Sequence, residues 1–209
     1  MKNKKQLEIA LQKIPSHPNP KVEYEQYSTP SIIASDLLWN SYGLGDIEGK
    51  TVLDLGCGTG IFTVGALKLN AKSAIGVDID EESIRTADNY VSEKLNFDNY
   101  EFISSNIDEF EAAFSVDTVF QNPPFGSQKK ASKGEDLKFI DKACQFNPSV
   151  IYSFHMASTR DFLIDYFYGK DLEISHIFNY KFKIPKIYDF HTKESKDVDV
   201  IVIRATNTI

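Results

Sequence analysis

From Thr51 onward, short apolar runs alternate with longer segments whose apolar residues recur at helical spacing, and this alternation leaves few architectures open. Thr51–Leu55, Ser73–Asp78, Tyr100–Ser104, Val116–Phe120 and Val150–Phe154 read as strands. Ile61–Leu69, Glu81–Leu95 (with Ile84, Ala87, Val91 and Leu95 on one stripe), residues 135–146 and residues 158–168 read as helices. Strand followed by helix, repeated, predicts an α/β fold with a Rossmann-like, doubly wound, mostly parallel sheet. Two late β runs, Glu173–Lys183 and Asp197–Arg204, have no helix between them. Without a crossover they can pair only antiparallel, which places them at the sheet edge.

Ahead of the alternation, residues 4–14 set Leu7, Ala10, Leu11 and Ile14 at helical spacing, and the three prolines of Pro15–Pro20 end that helix. Thr29-Pro30 reads as an N-cap with Pro at the first helical position. The helix it opens carries Ile33, Ala34, Leu37, Leu38 and Tyr42 and stops at Gly43 or Gly45. No linker divides the 209 residues, so one domain is expected: a helical segment over 1–45 and a core over 46–209. No apolar run is long enough to span a bilayer, and the basic start is not followed by a signal-type apolar stretch. Cys57 and Cys144 supply neither a disulfide framework nor a metal-ligand spacing, so no metal is expected and the setting reads as reducing and cytoplasmic.

The turn after the first strand, Asp54-Leu-Gly-Cys-Gly-Thr-Gly60, places glycines at 56, 58 and 60, where the backbone turns tightly and a ligand can approach it. A dinucleotide fingerprint would require Gly where Ile61 stands, and a phosphate-binding P-loop would require a following Lys-Ser/Thr. Asp54 at the mouth of the loop would repel a pyrophosphate and favour a cation. Asp78 ends the second strand, where an acid is placed for ribose hydroxyls. A cationic nucleoside with a free ribose is the ligand these residues describe, and S-adenosyl-L-methionine is such a molecule.

The fourth strand ends in Gln121-Asn-Pro-Pro-Phe125. Pro123 and Pro124 fix φ, so Asn122 and Phe125 sit in a rigid turn at the carboxyl end of a strand, where doubly wound sheets bind ligands. The Asn122 side-chain oxygen and a neighbouring carbonyl, that of Pro123, are two acceptors for the two hydrogens of an amino group. Phe125 offers a flat face for an amide or a base. In-line attack on a sulfonium methyl needs positioning rather than a strong base.

Charge is unevenly spread: residues 1–120 hold 10 Lys/Arg against 19 Asp/Glu, and residues 121–209 hold 13 against 11. Lys129, Lys130 and Lys133 follow the proline turn, and Lys181, Lys183 and Lys186 interleave with aromatics between the last two β runs. Lysines hold phosphates and aromatics stack on unpaired bases, so both segments are expected to contact RNA. A solvated hairpin with snorkelling lysines accounts for the second segment equally well.

Taken in order, Glu25-Gln-Tyr-Ser-Thr-Pro30, Asp54–Gly60, Asp78-Ile-Asp80, Asn122-Pro-Pro-Phe-Gly126 and Ile151-Tyr-Ser-Phe-His155 resemble the methyltransferase-like protein five family in its archaeal form, over about Lys5 to Arg204. The resemblance implies a class I methyltransferase fold and S-adenosylmethionine-dependent methylation of adenine N6 in small-subunit ribosomal RNA. It also implies a partner, a small zinc-binding activator protein. By the same resemblance Gln26 and Thr29 would close over the cofactor, while Gly56, Thr59 and Ile61 would line its methionine end. Asp78 would hold its ribose, and Asn122 to Phe125 would hold the target adenine. One position departs: Asn106-Ile107 stands where the family commonly has an acid contacting the cofactor adenine, and Asp108 is an alternative if the loop register differs. An adenine inside a duplex cannot reach such a pocket, so the base must be flipped or unpaired.

Two other readings compete: methylation of a release-factor glutamine amide, and an RNA-binding scaffold without activity. The first more often carries Tyr where Phe125 stands and adds an N-terminal helical domain. His155 reads as structural or substrate-facing, with Ser158 or Thr159 capping the helix after it. Cys144 and Trp39 read as packing, and Cys57 as a small residue in a tight loop. The N-terminal helix is open between a cofactor cover, a partner surface and plain packing.

Overall fold

The computed structural model describes residues 1–20, 28–125, 134–185 and 195–207. Two helices, α1 (Lys4–Leu11) and α2 (Ser31–Gly43), precede β1 (Thr51–Leu55), α3 (Ile61–Lys68), β2 (Ser73–Asp78), α4 (Glu81–Lys94), β3 (Tyr100–Ser104), β4 (Thr118–Gln121), α5 (Glu135–Gln145), β5 (Val150–Met156), α6 (Arg160–Tyr168), β6 (Leu172–Pro185) and β7 (Ser195–Asn207). The strands form one seven-stranded sheet in the order β3-β2-β1-β4-β5-β7-β6. β1 through β5 are parallel, and β7 pairs antiparallel with both β5 and β6. The expected α/β fold with an antiparallel pair at one edge is therefore present.

Strand geometry explains the two layers. Successive side chains alternate across the sheet, so Val52 faces one layer while Leu53 and Leu55 face the other. The first layer packs Leu7 and Leu11 of α1, Ile33, Leu37 and Leu38 of α2, and Phe62 and Ala66 of α3 against Phe120, Tyr152 and Phe154. The second packs Phe139 and Ile140 of α5 and Leu163 and Phe167 of α6 against Val119, Ile151 and Ile203. Of the readings open for the N-terminal helix, plain packing is present, since Leu7 and Leu11 are fully buried.

Several boundaries differ from expectation. α1 ends at Leu11, and the chain reaches Ile14 through turn bonds from Lys13 N to Ala10 O and Ile14 N to Leu11 O. Thr29 does not cap α2: Pro30 is the residue before its first turn, with its carbonyl accepting from Ile33 and Ala34, and the Thr29 hydroxyl is used elsewhere. β4 starts at Thr118, two residues later than its apolar run, because Val116 packs into the second layer before the ladder begins. The Thr159 hydroxyl donates back to the Met156 carbonyl and makes no cap on α6. Cys144 is half-buried at the rim of the second layer, and Trp39 packs against Tyr42 at the rim of the first.

Away from the candidate site, Asp46, Tyr152 and Arg204 make a nearly buried staple. Arg204 Nε and Nη2 donate to the two Asp46 carboxylate oxygens at 2.8 and 2.9 Å, and the Tyr152 hydroxyl donates to Asp46 Oδ2 at 2.6 Å. The staple joins the loop before β1 to the paired residues Tyr152 of β5 and Arg204 of β7.

Candidate active site

Strand order brings the site together. β1 lies between β2 and β4, so the turns leaving β1, β2 and β4 emerge side by side at the carboxyl edge where the sheet changes winding direction. They share a cavity of about 610 Å³ with the N-terminal segment and the start of α5. Gly56, Gly58, Thr59, Ile61, Asp78, Asn106, Ile107, Asn122, Pro124 and Thr29 line it. The glycine-built and proline-built turns therefore face a single space.

The glycine turn is held by backbone bonds. Gly56 and Cys57 N–H both donate to the Val77 carbonyl, at 2.8 and 3.0 Å. Gly60 takes φ +86° and a Cβ there would lie 2.8 Å from the Phe102 ring, so both the conformation and the space require glycine. Gly58 N–H donates to Asp78 Oδ2 and Asp80 N–H to Asp78 Oδ1, each at 2.8 Å. Each oxygen keeps a lone pair for a further donor, and Asp78 lines the cavity. Burial pushes the Asp78 carboxyl up, opposed by the two N–H bonds and by nearby His17. A glycine cradle beside a carboxylate with open lone pairs fits a ribose diol at the β2 end.

Asp54 departs from expectation. It does not stand at the mouth of the cradle; it is 1% exposed, beneath the turn, and does not line the cavity. Its Oδ2 accepts the N–H of Thr63 at 2.9 Å and the Thr63 hydroxyl at 2.8 Å, which ties the end of β1 to the first turn of α3. Burial raises its pKa to about 7, and the Thr63 bonds oppose the shift. A raised carboxyl favours the folded state when protonated, so this residue withdraws stability as pH rises from the unfolded value of 3.8 through about 7. Asp54→Asn is expected to flatten the fall in melting temperature between pH 5 and 7 and to match or exceed the wild type above that range. A steeper fall in the variant, measured by thermal unfolding across pH, would contradict this.

Asn122 carries the most telling feature. Its Nδ2 donates to the Thr29 hydroxyl at 3.0 Å, while its Oδ1 is buried and accepts no hydrogen bond from any of the described residues. A buried acceptor without a donor costs free energy unless a ligand satisfies it. Pro123 is buried and Phe125 packs edge-on against Phe182 with centroids 6.4 Å apart; neither lines the cavity. Asn106 Oδ1 accepts from Asp108 N–H at 3.0 Å, so its oxygen is already partly used, and Asp108 also lines the cavity.

Behind the Asn122 turn runs a buried relay. Gln121 Nε2 donates to Ser153 Oγ at 2.8 Å, which is 2.7 Å from His155 Nε2, and His155 Nδ1 is 3.2 Å from Asp136. His155 is 0% exposed and does not line the cavity, and burial holds its pKa down, opposed by Asp136. Its role is structural, joining β4 and β5 to α5. Cys57 is buried and its thiol is pushed up by burial.

Gln26, Lys129, Lys130, Lys133 and Lys186 lie outside the described residues. Lys181 is exposed and 4.0 Å from Asp199 across the β6–β7 pair, and Lys183 pairs in register with Asp197. His17, Phe139 and Lys138 also line the cavity and had no motif to mark them. Among the described residues no cluster suits a metal ion, and no helix is long and apolar enough to cross a membrane.

A methyltransferase-domain family matches residues 46–156. Uncharacterized protein MJ0284 of Methanocaldococcus jannaschii is 40% identical, with 98% of this chain and 94% of its own covered. The Danio rerio rRNA N(6)-adenosine-methyltransferase METTL5 is 34% identical, with 98% of this chain and 99% of its own covered. The crystal structure of PH1948 from Pyrococcus horikoshii, a proposed RNA methyltransferase, is similar at TM-score 0.88 and 38% identity, with 100% of both chains covered. Matched over nearly its whole length and carrying both turns on one cavity, the chain belongs to the METTL5 family and is an S-adenosyl-L-methionine-dependent N-methyltransferase.

Proposed function

We propose that the chain methylates the N6 amino group of a flipped or unpaired adenine in small-subunit ribosomal RNA. The buried Oδ1 of Asn122 at the cavity wall, without a donor among the described residues, is the observation that carries this reading. An adenine amino group has two hydrogens to donate; Asn122 Oδ1 takes one, and a backbone carbonyl of the Asn122–Pro124 turn is assigned the other. Accepting both draws the nitrogen lone pair out of the ring and toward the cofactor side. Bound S-adenosylmethionine supplies the electrophilic methyl group on its sulfonium. Asp78 holds the ribose, the Gly56–Ile61 turn the methionine end, and Asn106 and Ile107 the adenine edge; Thr29 and, outside the described residues, Gln26 complete the cofactor set. Thr29 has a second task, since its hydroxyl orients the Asn122 amide.

Support for RNA as the substrate class comes from the METTL5 relatives of Danio rerio, Drosophila melanogaster and Caenorhabditis elegans, each named an rRNA N(6)-adenosine methyltransferase. Lys129, Lys130 and Lys133, which lie outside the described residues, are assigned phosphates of the RNA, as are Lys181, Lys183 and Lys186. Replacing Lys129, Lys130 and Lys133 with Ala is expected to weaken RNA binding and reduce the slope of log affinity against log salt by about 2, at under one unit per lost phosphate contact. An unchanged slope in a filter-binding series would remove these lysines from the interface. A small zinc-binding activator is the proposed partner, and the cytoplasm the proposed setting.

The deciding experiment supplies labelled S-adenosylmethionine with ribosomal RNA or a release factor, with and without the activator, and maps the product. N6-methyladenosine in small-subunit RNA is the expected result. Label on a release-factor glutamine alone would transfer the assignment to the amide reading.

A further inference from the structure

We propose that His17 is a cofactor-contacting residue: the segment Pro15–Asn19 is a clasp over the glycine turn, and the His17 ring adds a hydrogen-bond acceptor at the Asp78 end of the cavity. The ring is seated on the turn itself. Its Cε1 and Nε2 lie 2.8 and 2.9 Å from where a Cβ on Gly58 would stand, so a side chain at 58 would expel it. The segment is tied down at two points on the first turn of α4. His17 Nδ1 is 2.8 Å from Ser83 Oγ, and Asn19 Nδ2 donates to Glu82 Oε1 at 2.7 Å.

The Ser83 bond selects the tautomer. Ser83 donates its only hydroxyl hydrogen to Asp80 Oδ2 at 2.7 Å, so its oxygen can only accept from His17. Nδ1 therefore carries the hydrogen, and in the neutral ring Nε2 is an acceptor. Burial lowers the His17 pKa, opposed by Asp78 and Asp80, which keeps the ring neutral at neutral pH. His17 and Asp78 both line the cavity. Two acceptors close together match the paired hydroxyl donors of a ribose. The placement rests on the ribose assignment of Asp78, and it concerns affinity for the cofactor rather than the handling of the target base.

The test is calorimetric titration of the full chain with S-adenosylhomocysteine and S-adenosylmethionine. His17→Phe keeps a ring on Gly58 and removes both nitrogens; it is expected to weaken both ligands about tenfold. Ser83→Ala should weaken them in the same direction by releasing the clasp. Hydrogen exchange of the wild-type chain provides a reading without any variant. Exchange at the backbone amides of Ser16, His17 and Asn19 is expected to slow on adding S-adenosylhomocysteine. Affinities of His17→Phe within about twofold of wild type, or unchanged exchange at those amides under saturating ligand, would overturn the proposal. Neither readout depends on transfer to RNA, so a failure here is distinct from a failure of the adenine reading.

Discussion

Asn122→Ala is expected to lower methyl-transfer turnover by about 10²-fold or more while leaving cofactor affinity near normal, as for loss of other preorganised polar groups. The reason is geometric. The Thr29 hydroxyl accepts from Asn122 Nδ2, which points Oδ1 into place before any substrate arrives. Alanine removes the acceptor, and an unheld amino group keeps its lone pair conjugated with the ring. Thr29→Val, which keeps the shape but removes the hydroxyl, should lose less turnover in the same direction, because Asn122 is then present but untethered. Single-turnover transfer measured beside cofactor titration separates the two effects. Turnover equal to wild type in Asn122→Ala would mean the amino group is held by other atoms, and the proposed base site would fall with it.

Asp46→Ala should cost about 3 kcal/mol of stability, a fall in melting temperature of roughly 10 °C, because it strands a nearly buried guanidinium. Arg204 loses both charged hydrogen bonds, and the Tyr152 hydroxyl, whose pKa is pushed up by burial and by Asp46, loses its acceptor. Removing both charges is less harmful than removing one: Asp46→Ala with Arg204→Met should recover part of the loss. Additive losses in that double-mutant cycle would show that the staple contributes no coupling. Because these residues sit away from the cavity lining, the variants also separate folding from chemistry.

The glycine and proline turns were legible because their constraints are local. A φ of +86° at Gly60 and fixed φ at Pro123 and Pro124 are properties of single residues, and they mark tight turns wherever they occur. Asp54 shows the opposite case. Its position at the end of β1 suggests a charge facing the ligand, yet the Thr63 backbone and hydroxyl draw it under the turn. Residue order alone does not contain the burial that decides whether a carboxylate meets a ligand or caps a helix. His17 lay in a run of prolines without any pattern, and only its approach to Gly58 and Ser83, 41 and 66 positions away, gives it a role.

Apolar spacing together with the glycines and prolines determined the strands and helices, short of their exact bounds, and the two turns, since spacing of apolar side chains and backbone restriction act within a few residues. The folded chain alone decided that β1 and β4 stand adjacent, so that both turns open on one cavity, that Asp54 lies beneath it and that the Asn122 oxygen has no donor among the described residues. Those outcomes follow from packing and desolvation among groups distant in sequence, and no local pattern encodes them.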